Sequence, residues 1–230
     1  KSLEGVEWVK IESKTDVTVK TQSGNQLLIK GGEARKIPKR AEGLKLVGDS
    51  GTDNTNVGFY VIKEGNNLIV RNLQKHSSGK ATVYLPASQN ISVRTKGTGE
   101  SDIEISGFTG EIEATVELNG GIEVTDISGP ITANTLNGNV EISFTKVSQN
   151  SPITVYSTNG ALDINLPKDT PMDLSMGTIN GDIYTNFDIV FPEKNGLKSV
   201  STQKVSQAIN GGGVNFKLKT INGNIYLRKQ

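Results

Sequence analysis

The chain reads as an all-β protein: a parallel β-helix, or solenoid, with coils of about 20 residues behind an N-terminal region of strands and a hairpin. Three observations predict this. Asn-Gly pairs recur at Asn119-Gly120, Asn137-Gly138, Asn159-Gly160, Asn180-Gly181 and Asn222-Gly223, in steps of 18, 22, 21 and 42 residues, the last being twice 21. Two residues after each glycine, an aliphatic side chain opens an alternating run: Ile122, Val140, Leu162, Ile183 and Ile225. The segment "ATVYLPASQNISVRT" (81–95) also resembles "ALDINLPKDTPMDLS" (161–175), with Leu85-Pro86 matching Leu166-Pro167 at an offset of 81, close to four coils.

The elements follow in order. "VEWVKIE", "DVTVKT" and "QLLIKGG" are strands joined by short turns, and "GDSGTDNTN" (48–56) is a loop. "VGFYVIKEGNNLIVRNL" (57–73) predicts a hairpin about Gly65-Asn66-Asn67. Residues 1–79 are therefore expected to cap one end of a solenoid formed by 80–230, within one continuous domain. In the repeat region each Asn-Gly strand alternates with a second strand: Ile112/Ala114/Val116, Ile131/Ala133, Ile153/Val155, Met172/Leu174/Met176 and Val214/Phe216/Leu218. Asn and Gly tolerate positive φ, which suits corners, and stacked asparagines can bond to one another along the stack. Asn-Gly also suits antiparallel hairpins, but like turns here recur every two strands, which favours coils. Val140, Leu162 and Ile183 should then lie one above another.

The distance from Ile183 to Val214 is 31 residues, about 20 more than between other successive strands. The insertion at 186–213 is either a degenerate coil or a protruding loop, and its poor alternation favours the loop. Residues 199–210 are the one helix candidate, too polar and short to stand alone.

Charge excludes some functions. With 25 Lys+Arg against 24 Asp+Glu, the net charge of +1 provides no field for nucleic acid or anionic lipid. The run Arg35, Lys36, Lys39, Arg40 reads as a solvated loop. Without cysteine there is no disulfide, thiol nucleophile or thiolate metal site. No apolar run approaches the ~18 residues that span a bilayer. A first residue of Lys1 suggests a processed mature end or a cut within a longer chain.

No catalytic set emerges. His76 is the single histidine, and Ser77 and Ser78 beside it do not make a triad, which needs convergence in space. Glu100, Asp102, Glu104, Glu111, Glu113, Glu123 and Asp126 are scattered carboxylates. Glu104, Glu113 and Glu123 alternate with inward residues, so they point outward and could line a groove as a glycosidase would require. Ordinary solvent-facing alternation explains them as well. "KGTGESD" (96–102) and "NGGGVNF" (210–216) read as turns, not phosphate or calcium loops. Thr132, Thr135, Thr154 and Thr158 do not share one register. Tyr184, Phe187, Phe191 and Tyr226 are either wall packing or a sugar-stacking patch. No cofactor is expected.

The motifs "LNG-GIEV…ISGPITANTLNGNVEI", the "YLP" and "NLP" strand ends, "TINGDIYTNF" and "INGGGVNFKLKTINGNIYLRK" resemble the bacterial putative-adhesin β-strand-repeat family, a domain of unknown function related to head-GIN envelope proteins. The resemblance is strongest from about residue 80 onward. It implies a β-helix-like stack, export to the periplasm, outer membrane or cell surface (often as a lipoprotein, here with any anchor preceding Lys1), and adhesion to a glycan or envelope protein. It carries no catalytic residue. A carbohydrate-binding module, a carbohydrate-active β-helix enzyme and a purely structural assembly unit are the alternatives.

Overall fold

The structure of the protein, a computed structural model, describes residues 1–30, 39–49, 51–74, 81–190 and 203–230. In chain order its strands are β1 (Trp8–Ser13), β2 (Val17–Thr21), β3 (Leu28–Lys30), β4 (Val47–Gly48), β5 (Gly51–Thr52), β6 (Phe59–Glu64), β7 (Asn67–Asn72), β8 (Ala81–Leu85), β9 (Asn90–Thr95), β10 (Ile103–Ser106), β11 (Ile112–Asn119), β12 (Ile122–Ile127), β13 (Ile131–Asn137), β14 (Val140–Phe144), β15 (Ile153–Asn159), β16 (Leu162–Leu166), β17 (Met172–Asn180), β18 (Ile183–Thr185), β19 (Gln203–Ile209), β20 (Val214–Asn222) and β21 (Ile225–Lys229). One 3-10 turn, Lys39–Ala41, is the sole helical element among the described residues.

Two sheets face each other, and every coil contributes one strand to each. The ten-stranded sheet runs β19-β17-β20-β15-β13-β11-β9-β1-β7-β6, and the nine-stranded sheet runs β18-β21-β16-β14-β12-β10-β2-β8-β3. All neighbouring coils pair in parallel, as in β11 with β13 and β14 with β16. The alternation in sequence is the cause: one face of each strand is aliphatic, and only a second sheet can cover it. The expected column is present. Val140 pairs with Leu162, Leu162 with Ile225, and Ile225 with Ile183. Toward the other end the column continues through Ile122, Ile103, Val17 and Ala81. All but the outermost Ile183 are buried.

Two coils are out of sequence order. Along the stack the coils run β7/β8, β1/β2, β9/β10, β11/β12, β13/β14, β15/β16, β20/β21, β17/β18. The first coil of the chain therefore lies inside the stack, between its second and third, and the last coil is inserted beneath the one that precedes it. The expected boundary at residue 79 accordingly marks no break in the sheets. Residues 1–79 supply an interior coil as well as end strands, and a single coil, β7/β8, straddles the boundary. The two double steps that skip a coil, β8 to β9 and β16 to β17, follow Leu85-Pro86 and Leu166-Pro167. Both turns close alike, with the Gln89 N–H donating to the Pro86 carbonyl at 3.1 Å and the Thr170 N–H to the Pro167 carbonyl at 3.1 Å.

Antiparallel strands cover three of the four sheet edges, and β18, parallel to β21, forms the fourth. β6 pairs with β7 through the expected hairpin, and β3 pairs with β8. At the other end β19 lies antiparallel on β17. The insertion at 186–213 is thus neither a plain loop nor a coil: residues 203–209, inside the helix candidate, form an edge strand, and 191–202 lie outside the described residues. Lys204, Ser206 and Gln207 keep that edge polar, which discourages pairing with another sheet.

Within "GTDNTNVG", Asp53 shapes the loop leading to β6. Its carboxylate accepts bonds from the N–H groups of Thr55 (2.8 Å), Asn56 (3.0 Å) and Gly58 (2.9 Å) and from the Thr55 hydroxyl (2.9 Å). Partial burial pushes its pKa up, but these bonds outweigh that and hold it below its ordinary value. A depressed folded pKa stabilises fully above the unfolded value, about 4, and the benefit is lost as pH falls through the folded value. Asp53→Asn is expected to cost about 1 kcal/mol at neutral pH and less at about pH 3, as read by urea denaturation at each pH.

Candidate functional site

The repeated corner is a hydrogen-bonded device with three layers. On the outside, asparagines form a directional ladder. Asn137 Nδ2 donates to Asn119 Oδ1 (3.0 Å), Asn159 to Asn137 (2.7 Å), Asn222 to Asn159 (2.6 Å) and Asn180 to Asn222 (2.8 Å). "TINGDIY" and "TINGNIY" are therefore adjacent rungs in inverted chain order. Inside the corner, a buried hydroxyl two residues before each of the four donating asparagines donates to the glycine carbonyl of the neighbouring rung. Thr135 reaches Gly120 (2.9 Å), Ser157 reaches Gly138 (3.0 Å), Thr220 reaches Gly160 (2.9 Å) and Thr178 reaches Gly223 (2.9 Å). After the glycine, Asn139 and Asn224 accept the N–H of Ala161 and Asp182 in the next rung, both at 2.9 Å. Asp102 Oδ1 does the same for Gly121 at 2.7 Å.

Sequence reasoning missed the hydroxyl layer because it sought threonines on the outer face. The signal was present as Ser/Thr-x-Asn-Gly. On the outer face Thr132 pairs with Thr154, but Thr135 is buried opposite Ser157, so the four threonines do not share one register, as expected. Asn159 makes two ladder bonds and Asn180 one, so Asn159→Ala should destabilise about twice as much as Asn180→Ala, at roughly 0.5–1 kcal/mol per exposed bond, as read from denaturation midpoints.

A groove of about 650 Å³ runs along this corner, lined by Asn119, Gly120, Asn137 and Gly138, by Glu100 and Asp102 at the equivalent corner of the neighbouring rung, and by Glu104, Glu123 and Glu141 on the strands that follow. Glu141 completes a row that the scattered carboxylates did not reveal. Glu104 pairs with Glu123, Glu123 with Glu141, and Glu141 with Asp163, so four carboxylates stand in register at rungs ~4.8 Å apart. Glu104 is half-buried and accepts the Thr18 hydroxyl at 3.1 Å, whereas Glu123 and Glu141 are exposed. Glu113 sits in the other sheet, next to Ser92 and Thr132. Glu111 precedes that same strand, and Asp126 occupies an irregularity of β12 at φ 55°. These three do not join the groove.

The row continues into aromatics. Asp163 pairs with Tyr226, and Tyr226 with Tyr184. The two rings stack with centroids 5.3 Å apart and planes 12° apart, and Arg228 lies over Tyr226 at 5.4 Å while it ion-pairs with Asp163. Tyr184 is 51% exposed, and its hydroxyl donates to Asp182 Oδ2 at 3.3 Å. The Asp182 charge raises the Tyr184 pKa, because ionising the phenol would set two negative charges side by side. Phe187, by contrast, is buried. Of the other candidates, Arg35, Lys36, His76, Ser77, Ser78 and Phe191 lie outside the described residues. Asn210, at the glycine-rich turn between β19 and β20, ties that turn to the β16–β17 connection by donating to the carbonyls of Lys168 and Thr170, both at 2.9 Å. Among the described residues no group of three or more His, Cys, Asp or Glu is placed to hold a metal ion, and no helix is long and apolar enough to cross a membrane.

The model of the Toastrack domain, DUF4097, matches residues 9–228. The chain belongs to this family. Its function is unknown and its fold is solenoid-like, in line with the resemblance seen in the corner motifs. A solved structure described as a "putative cell adhesion protein" from Clostridium sporogenes ATCC 15579 is similar to this Toastrack domain at 12% identity, over 100% of this chain and 96% of that one, with a TM-score of 0.44. No curated protein matches the chain significantly.

Proposed function

We propose that this Toastrack domain is a non-enzymatic, exported cell-envelope protein that presents a rigid solenoid face to a cell-surface glycan or envelope protein. The observation that carries this reading is the row Glu104, Glu123, Glu141, Asp163, Tyr226, Tyr184 on the outer face of the nine-stranded sheet. Parallel pairing fixes the spacing of these groups, so a partner meets them already ordered and little entropy is lost on contact. Glycosidase chemistry needs a carboxyl kept protonated near neutral pH by removal from water. Glu123 and Glu141 are open to water, which argues against that role.

A carbohydrate-binding module is the second reading, favoured by the exposed Tyr184 ring stacked on Tyr226. Aromatic faces of this kind take the apolar face of a sugar ring. The test is a glycan array and a cell-surface binding assay with the wild type, Tyr184→Ala and Tyr226→Ala, alongside a hydrolase and lyase screen. Binding lost in the tyrosine variants without any turnover supports the proposal. Turnover that disappears in Glu123→Gln replaces it with an enzyme. Export is checked on the precursor, by whether a signal segment, with or without a lipid-accepting cysteine, precedes Lys1.

A further inference from the structure

We propose that Asn180-Gly181 is a spontaneous modification site at which the fold permits an amide-to-acid conversion that it suppresses at the other four ladder corners. The inference is independent of the function proposed above. An Asn-Gly pair loses its side-chain amide when the glycine nitrogen attacks the asparagine side chain. That nitrogen must be released from any hydrogen bond and given room to move.

In the ladder the release is blocked four times. The Gly120 N–H donates to the Asn137 carbonyl (2.9 Å), Gly138 to Asn159 (2.9 Å), Gly160 to Asn222 (3.0 Å) and Gly223 to Asn180 (3.0 Å). Each of these nitrogens is pinned to the next rung. Asn180 is in the last rung, and the Gly181 N–H has no partner among the described residues. The Asn180 side chain is also the least restrained of those that donate in the ladder: its Nδ2 donates to Asn222, and its Oδ1 accepts nothing among the described residues. Sequence makes the five corners equivalent, and position in the stack separates them.

The step balances as follows. The Gly181 nitrogen gives up its proton to hydroxide and bonds to the Asn180 side-chain carbonyl carbon. Nδ2 takes a proton from water as its bond to that carbon breaks, so ammonia leaves and hydroxide is regenerated. The resulting five-membered imide takes up one water and opens to aspartate or isoaspartate. Either product places a new negative charge two residues from Asp182 and removes the donor to Asn222 Oδ1. Isoaspartate also lengthens the backbone where Asn180 pairs with Asn222. The product therefore loosens the outermost coil, β17/β18, and the protein carries an age mark in its end rung.

The test incubates the folded protein at mildly alkaline pH and maps peptides over time, reading the mass gain and isoaspartate content at each Asn-Gly pair separately. A parallel sample in denaturing urea sets the rates without the fold. In the folded protein Asn180 is expected to convert about tenfold faster than Asn119, Asn137, Asn159 or Asn222, since one or two hydrogen bonds must be released at each of those. In urea the five rates should converge. Conversion of any of the other four as fast as Asn180 in the folded protein overturns the proposal. So does an unconverted Asn180 over a period in which the urea sample converts fully.

Discussion

Deleting residues 212–230 should unfold far more than the deleted coil. β20/β21 lies between β15/β16 and β17/β18, so its loss leaves those two coils facing each other across two strand spacings, about 9.6 Å, too far for any backbone hydrogen bond. The deletion also removes the buried side chains of Val214, Phe216, Leu218, Ile225 and Leu227. At roughly 1.5–3 kcal/mol each, their burial is worth on the order of 10 kcal/mol, comparable with the entire stability of an ordinary domain. β17 and β18, although retained, would have no parallel neighbour. Hydrogen exchange is the measurement: amides of 172–185 should lose protection together with those of β15 and β16. Retained protection across 172–185 would mean that the coils close up in sequence order, and the insertion topology would be wrong.

The second large effect is expected from a single methyl group. Gly160 sits at a corner where a β-carbon would lie 1.9 Å from the Gly138 carbonyl oxygen, and Gly223 repeats the contact against Gly160 itself at 2.1 Å. The obstructing atoms are backbone, fixed by parallel pairing on both sides, so no flexible side chain can yield. Gly160→Ala should cost about 3 kcal/mol or more, because the rungs must separate or the corner must leave the stack. Gly99→Ala is the control: nothing lies within 4 Å of its built β-carbon and its φ is not left-handed, so a change within about 0.5 kcal/mol is expected. Urea midpoints of the two variants settle the matter, and equal midpoints would refute the close-approach account of the corner glycines.

Much of this architecture was legible in the chain because each corner writes the same physics in the same residues. Asn-Gly spacing identified the corners, and alternation identified the inward column of Val140, Leu162 and Ile183. The order of the coils was not legible. Similarity between "TINGDIY" and "TINGNIY" marks two neighbouring rungs but has no direction, and nothing local distinguishes a coil added on top from one inserted beneath. One signal was available in retrospect: Leu85-Pro86 and Leu166-Pro167 open the two turns that skip a rung. β19 escaped notice because an edge strand buries little, so its alternation of Val205 and Ile209 among polar residues is faint. The groove was half legible. Outward carboxylates could be named, but only register shows that Glu104, Glu123 and Glu141 line up while Glu113 belongs to the opposite sheet.

The inserted coils also decide how the molecule bears load. Tension applied at the two chain ends is passed to β1/β2 and β20/β21, each held by a neighbour above and below in both sheets. Neither can be peeled away as an outermost layer. Pulling one out means rupturing two interfaces at once, so failure should come as one abrupt event at high force, not as a staircase of single coils. Optical-trap extension curves read this directly, and evenly spaced small steps would contradict it.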